Sequence, residues 1–297
     1  MRSKMNIPGA KTYYYVHTGH RIGLDRFRRA VAILNALADE DITLLTSDYR
    51  IAQVARDFGI EKSVGIDVVR NIPQIAQNGD KLIFDSEEAN PIMLEDMRSY
   101  FSRFVRVSDK QDDVKAENEF LISPYLEGDE ICNTVAVADK YFTCNEKTVD
   151  ISYFFGDDDY EKDLEKHLDF VEDFDPHLLL GFYYFLDYEE MLKTKFVNYF
   201  EFEEYDAMIM QSKILVTASP QAVLDSLASG GKPIYIQRED YTRDFNTLFE
   251  NLNIPIIYHY DKNHINVMIE AINEQKYGKI AKNSNKIANF IKESLNL

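Results

Sequence analysis

Short apolar runs alternate with amphipathic stretches along the whole chain. Residues 12–16 (Thr-Tyr-Tyr-Tyr-Val) form a β-rich run; a glycine-containing turn follows, then apolar residues at helical spacing over roughly 25–38. The pattern repeats with a strand at 42–47, a helix at 51–59 closed by Gly59, and strands at 81–85 and 104–108. A second series starts near residue 150. Strands are predicted at 151–155, 178–185, 196–202, 213–219, 232–237 and 254–259, with helices over 159–172, 220–230 and 261–274 between them. A polar helix over 279–295 carries Ile280, Ile287, Ile291 and Leu295 on one side. Residues 109–148 look irregular and polar, and a domain boundary fits there. The alternation predicts an α/β protein of two Rossmann-like, doubly wound domains, 1–145 and 146–297, facing a central cleft.

Composition narrows the partners. The 297 residues are 45% hydrophobic and 13% aromatic, enough for two real cores. A net charge of −18 argues against nucleic acid, because no broad basic surface is available to neutralise phosphates. Between residues 157 and 206 lie seventeen acidic residues and four lysines, a density that reads as a solvated acidic face. Cys132 and Cys144 match neither a zinc spacing nor a disulfide framework, so reduced thiols in a cytoplasmic protein are expected. The opening Met-Arg-Ser-Lys-Met-Asn-Ile-Pro-Gly-Ala-Lys lacks the apolar region of a signal peptide, and the run at 178–186 is too short for a membrane span.

Three stretches carry candidate chemistry. In His17-Thr18-Gly19-His20-Arg21-Ile22-Gly23, glycines at a strand's carboxyl end let a ligand approach the backbone, and the next helix contains Arg26, Arg28 and Arg29. A neutral His20 imidazole there can take a proton from a hydroxyl or water. The alternative is a tight turn in which His20 only bonds backbone. In Thr217-Ala218-Ser219-Pro220-Gln221-Ala222-Val223-Leu224-Asp225, Ser219 suits a helix N-cap and Pro220 the first helical position. Capping alone explains Ser-Pro; a diphosphate at the helix start, with ribose hydroxyls on Asp225, explains the carboxylate as well. In Phe154-Phe155-Gly156-Asp157-Asp158-Asp159-Tyr160, Asp157 and Asp159 have the spacing of a pair holding a divalent cation against a diphosphate, or else the aspartates open a helix near residue 159.

The segment Ala218–Pro233 resembles the nucleotide-binding segment in the second domain of GT-B glycosyltransferases, where a small-residue turn leads to an acidic residue and then Gly-x-Pro. His17–His20 resembles the Gly-x-Gly-His segment of the first domain. The likeness is nearest to the compact branch containing the UDP-sugar hydrolase of pseudaminic acid biosynthesis and the lipid-intermediate N-acetylglucosaminyltransferases. It implies His20 as the base or transition-state contact, Asp225 as the ribose carboxylate, and Ala218 and Ser219 as phosphate contacts, with Gly19, Arg21, Gly156 and Gln221 as further substrate-binding candidates. The chain departs from the pattern at His17, which replaces a glycine, at Gly23, at Asp225 in place of glutamate, and in one extra residue before Lys232-Pro233.

The resemblance implies an enzyme acting on a nucleotide-sugar, with UDP the expected nucleotide, that transfers the sugar to an acceptor hydroxyl or to water. It implies no metal and no cofactor. The acceptor is not legible. Two other readings stay open: a non-catalytic relative that binds a nucleotide-sugar or a protein, and a metal-dependent GT-A-type transferase using Asp157 and Asp159.

Overall fold

The structure is a computed structural model, and it describes residues 9–172, 174–196 and 198–297. Residues 1–8 of the opening segment, and Val197 within the strand expected at 196–202, lie outside the described residues. The chain forms two compact units. Of the described residues, the first comprises 9–19, 26–138 and 283–297, and the second comprises those of 20–25 and 139–282.

The first unit is built on a seven-stranded sheet with β1 (Thr12–Val16), β2 (Ile42–Thr46), β3 (Ser63–Gly65), β4 (Lys81–Asp85), β5 (Arg103–Val107), β6 (Phe120–Ser123) and β7 (Ile131–Asn133). The order is β3-β2-β1-β4-β5-β6-β7 and every pairing is parallel. Helices α1 (Asp25–Ala36), α2 (Tyr49–Val54), α3 (Ile72–Ile75) and α4 (Pro91–Tyr100) fall in its crossovers. Strands β1 and β4 sit centrally and every residue of both is buried, which is why Tyr13–Val16 and Leu82–Phe84 read as apolar runs. One face buries Tyr13, Tyr15, Leu82, Phe84 and Phe104 against Met97 and Phe101.

The second unit has six parallel strands: β8 (Val149–Phe154), β9 (His177–Leu179), β10 (Tyr199–Phe200), β11 (Ser212–Thr217), β12 (Lys232–Ile236) and β13 (Ile256–Ile257), in the order β10-β9-β8-β11-β12-β13. Its helices are α5 (Asp163–Lys166), α6 (Leu168–Glu172), α7 (Leu186–Lys195), α8 (Tyr205–Gln211), α9 (Pro220–Ala228), α10 (Asn246–Asn251) and α11 (Lys262–Ala271). Tyr153, Leu178, Val216, Ile234 and Ile257 share one buried cluster across five neighbouring strands. The last helix, α12 (Ser284–Leu295), packs on β5 and β7, so the first unit takes in residues 283–297. A single division at residue 145 assigns that helix to the second domain.

Several elements differ from expectation. The stretch 109–148 is not wholly irregular: β6 and β7 extend the first sheet there. The strand expected at 178–185 stops at Leu179. A Cβ at Gly181 would lie 2.6 Å from the Gly156 carbonyl oxygen and 2.5 Å from the Tyr184 ring, so the chain turns where only glycine fits. The helix expected over 159–172 begins at Asp163 and is broken at His167. The helix expected at 51–59 gives way after Val54 to a tighter turn over Ala55–Phe58, which Gly59 closes at φ +83°.

In each sheet the chain changes direction at one place. The first crevice lies between the carboxyl ends of β1 and β4, the second between those of β8 and β11.

Candidate functional site

The carboxyl ends of β8, β11 and β12 each deliver a short polar segment. After β8 come Phe155, Gly156, Asp157 and Asp158; after β11 come Ala218 and Ser219; after β12 comes Arg238. Together with Arg21–Asp25 and Tyr241 they line one crevice. Its enclosed free space is about 10 Å³, room for roughly one water, and it opens to solvent. Gly156 takes φ +128°, a backbone state that other residues rarely adopt, and a Cβ there would stand 3.7 Å from Arg238 Nη1.

Arg238 is the centre of positive charge. It is 7% exposed, and its Nε donates to Asp240 Oδ1 at 2.8 Å, its Nη2 to Asp240 Oδ2 at 2.6 Å and its Nη1 to the Asp158 carbonyl at 2.9 Å. The guanidinium lies 4.5 Å from the Phe155 ring centre. Burial works against its charge, but the hydrogen-bonded Asp240 more than offsets this and raises its pKa.

Ser219 caps α9: its Oγ accepts from the Ala222 amide at 3.1 Å and donates to Asp25 Oδ1 at 2.5 Å. A carboxylate therefore stands at the positive end of α9, where an anion is electrostatically favoured. Tyr241 Oη donates to the Ile22 carbonyl at 3.2 Å, fixing the 20–25 segment in the same place.

His20 lies at the side of this crevice. Its Nε2 is 3.7 Å from Asp158 Oδ1, and neither atom has a hydrogen-bond partner. Three rings meet the imidazole edge-on: Tyr160 at 5.2 Å, Tyr183 at 5.9 Å and Phe185 at 5.5 Å between centroids. Arg21, with φ +68°, lays its guanidinium 3.8 Å over the Tyr160 ring.

The candidates divide accordingly. Arg21, Gly156, Ala218 and Ser219 line the crevice, and His20 flanks it through Asp158. Gln221 and Asp225 are buried within α9 and do not line it: Gln221 Nε2 donates to Asp225 Oδ1 at 2.8 Å, and Tyr205 Oη donates to Asp225 Oδ2 at 2.9 Å. Gly19 belongs to the first unit and faces Asp48. His17 also lies in the first unit, 3.8 Å from Glu88, and burial lowers its pKa.

The three aspartates have three different surroundings. Asp157 lines the crevice and Asp158 meets His20. Asp159 accepts from the amides of Asp163 at 2.7 Å and Leu164 at 3.1 Å and from Tyr188 Oη at 2.5 Å. Burial pushes the Asp159 pKa up, against the pull of those hydrogen bonds. Both oxygens of Asp159 are thus engaged by the first two amides of α5 and by Tyr188, away from Asp157. Among the described residues no group of three or more His, Cys, Asp or Glu is arranged to hold a metal ion. No described helix is long and apolar enough to cross a membrane.

Sequence reasoning placed Asp25, Tyr160, Tyr183, Phe185 and Tyr241 outside the candidate set. Their only signal was position, since Asp25 opens the helix after the His17–Gly23 turn and Tyr160 ends the Gly-Asp-Asp-Asp run.

No protein-family model and no curated protein sequence matches the chain. Solved structures do. The S. aureus MnaA–UDP co-structure aligns over 97% of this chain and 97% of its own, with TM-score 0.63 and 11% identity. The Methanocaldococcus jannaschii UDP-GlcNAc 2-epimerase, in complex with UDP-GlcNAc and UDP, aligns over 95% and 99%, with TM-score 0.59 and 10% identity. Anabaena Alr3699/HepE, in complex with UDP-glucose, aligns over 96% and 95%, with TM-score 0.57 and 8% identity. At such identities the likeness concerns architecture. With two parallel-sheet α/β units and these neighbours over nearly the full length, the chain has the GT-B fold.

Proposed function

We propose that the second unit binds a nucleotide-sugar in the β8/β11 crevice and that the protein transfers the sugar, without a metal, to an acceptor hydroxyl or to water. The observation that carries this reading is the meeting, at one topological switch point, of the Gly156 loop, the Ser219-capped start of α9 and the buried Arg238 guanidinium. Arg238 and the α9 terminus are the groups suited to take the charge of a departing diphosphate. UDP is the expected nucleotide because the structural neighbours named above hold UDP or a UDP-sugar. His20 is the expected proton acceptor, and the Asp225 pair with Gln221 and Tyr205 is support for α9 instead of a ribose contact.

A second reading has its own observation. Three carboxylates, Asp25, Asp157 and Asp158, line the crevice against two guanidiniums, Arg21 and Arg238. That surplus opposes the extra negative charge of a departing diphosphate and favours a relative that binds a nucleotide-sugar without turnover.

Incubation with UDP-linked sugars, with and without chelator, separates these readings. Release of UDP that persists in chelator and falls at least about a hundredfold in His20→Ala supports transfer. Release that requires a divalent cation overturns metal independence. Binding without release supports the second reading, and an epimerised sugar without UDP release assigns a different reaction to the crevice.

A further inference from the structure

We propose that His20, Asp158, Tyr160 and Phe185 form a subsite for a vicinal diol carried on a ring, the acceptor's, and that this cup selects such a ring over water. The inference rests on the transfer reading above. Its starting point is a pair of polar atoms, His20 Nε2 and Asp158 Oδ1, 3.7 Å apart, buried and without partners. Asp158 is itself only 7% exposed. A buried polar atom without a partner is costly, and two side by side call for one ligand that serves both. With the imidazole neutral, both atoms accept. Two hydroxyls on adjacent carbons are two donors side by side, each able to reach one acceptor at about 2.8 Å.

The surroundings suit a ring. Tyr160 is 42% exposed and Phe185 56%, and both are edge-on to His20. Leu186, next in the chain, is 70% exposed. Exposed apolar side chains gathered around a buried polar pair mark a binding surface. The C–H face of a pyranose can pack on them, whereas water gains nothing from that contact. Arg21, stacked on Tyr160, holds that ring in its plane.

The chemistry balances. One hydroxyl gives its proton to His20 Nε2 while its oxygen forms a bond to the donor's anomeric carbon. The bond from that carbon to the diphosphate oxygen breaks, and its electron pair leaves with the nucleotide. The new imidazolium N–H then faces Asp158 Oδ1, which offsets its charge.

The test is saturation-transfer NMR on the full chain with methyl pyranosides, as the free diol and as the singly O-methylated ether, with and without UDP. The diol is expected to bind, the ether to bind at least about fivefold more weakly, and Phe185→Ala to weaken the diol about five- to tenfold. Asp158→Asn should remove the preference for diol over ether, and in Phe185→Ala the UDP affinity should stay at the wild-type value. Diol and ether binding equally, or diol binding indifferent to both substitutions, overturns the proposal. Loss of UDP binding with the diol preference intact overturns the nucleotide reading and leaves the diol cup standing.

Discussion

Asp25 presents a carboxylate to α9 through the Ser219 hydroxyl, at the place where a diphosphate oxygen would gain most from the helix terminus. A ligand anion entering there must compete with that charge. Asp25→Asn keeps the shape and removes the charge, so UDP affinity is expected to rise about two- to fivefold, the worth of one charge near a helix end. Calorimetric titration reads the change, and an affinity unmoved by the substitution would place the anion elsewhere. The same scale explains why the three aspartates resisted assignment. Their identity and spacing fit a cation pair as well as a helix start; only backbone direction separates Asp159, which accepts from the first amides of α5, from Asp157 and Asp158.

At the level of elements, the first sheet is held at its centre by a buried charge cluster. Arg29 of α1 donates from Nε to Asp85 Oδ2 at 2.9 Å and from Nη2 to Asp85 Oδ1, and pairs with Asp109, while Tyr14 Oη donates to Asp85 at 3.0 Å. Asp85 ends β4 and is fully buried. Arg29→Met leaves its carboxylate without a cation, and a loss of about 3–5 kcal/mol is expected in denaturant unfolding. Arg29→Met with Asp85→Asn should recover part of this; a single variant as stable as wild type would contradict the cluster's role. Strands such as β1, β4, β8 and β11 were legible because central parallel strands bury both faces over most of their length and carry apolar stretches such as Tyr13–Val16, Leu82–Phe84, Tyr153-Phe154 and Ile214–Val216. Strands β6 and β7 were not, being three or four residues long among charged and polar neighbours. The aromatic run at 182–185 looked like a strand by composition, but Gly181 turns the chain and leaves Phe185 exposed beside His20.

For the whole chain, two successive α/β series are visible in the sequence, the resemblance at Ala218–Pro233 and His17–His20 implies the GT-B fold, and the structure has that fold. The destination of the last helix was not. Its apolar stripe of Ile287, Ile291 and Leu295 fits any sheet, and only the tertiary structure shows it packed on β5 and β7. Removal of residues 283–297 is therefore expected to speed hydrogen exchange in β5 and β7 and to leave β8 and β11 protected; faster exchange confined to β8–β13 would contradict this. Gly156 and Ala218-Ser219, where ligand chemistry and local pattern coincide, line the crevice, whereas Asp225 takes its partners from α8 and its own helix, contacts no local pattern shows. In the proposed reading the second unit's crevice holds a nucleotide, with Arg238 at its heart. Calorimetric titration of UDP into the full chain should show binding, and in Arg238→Met a loss of at least about tenfold; no heat with UDP, or equal affinity in both, would rule this reading out.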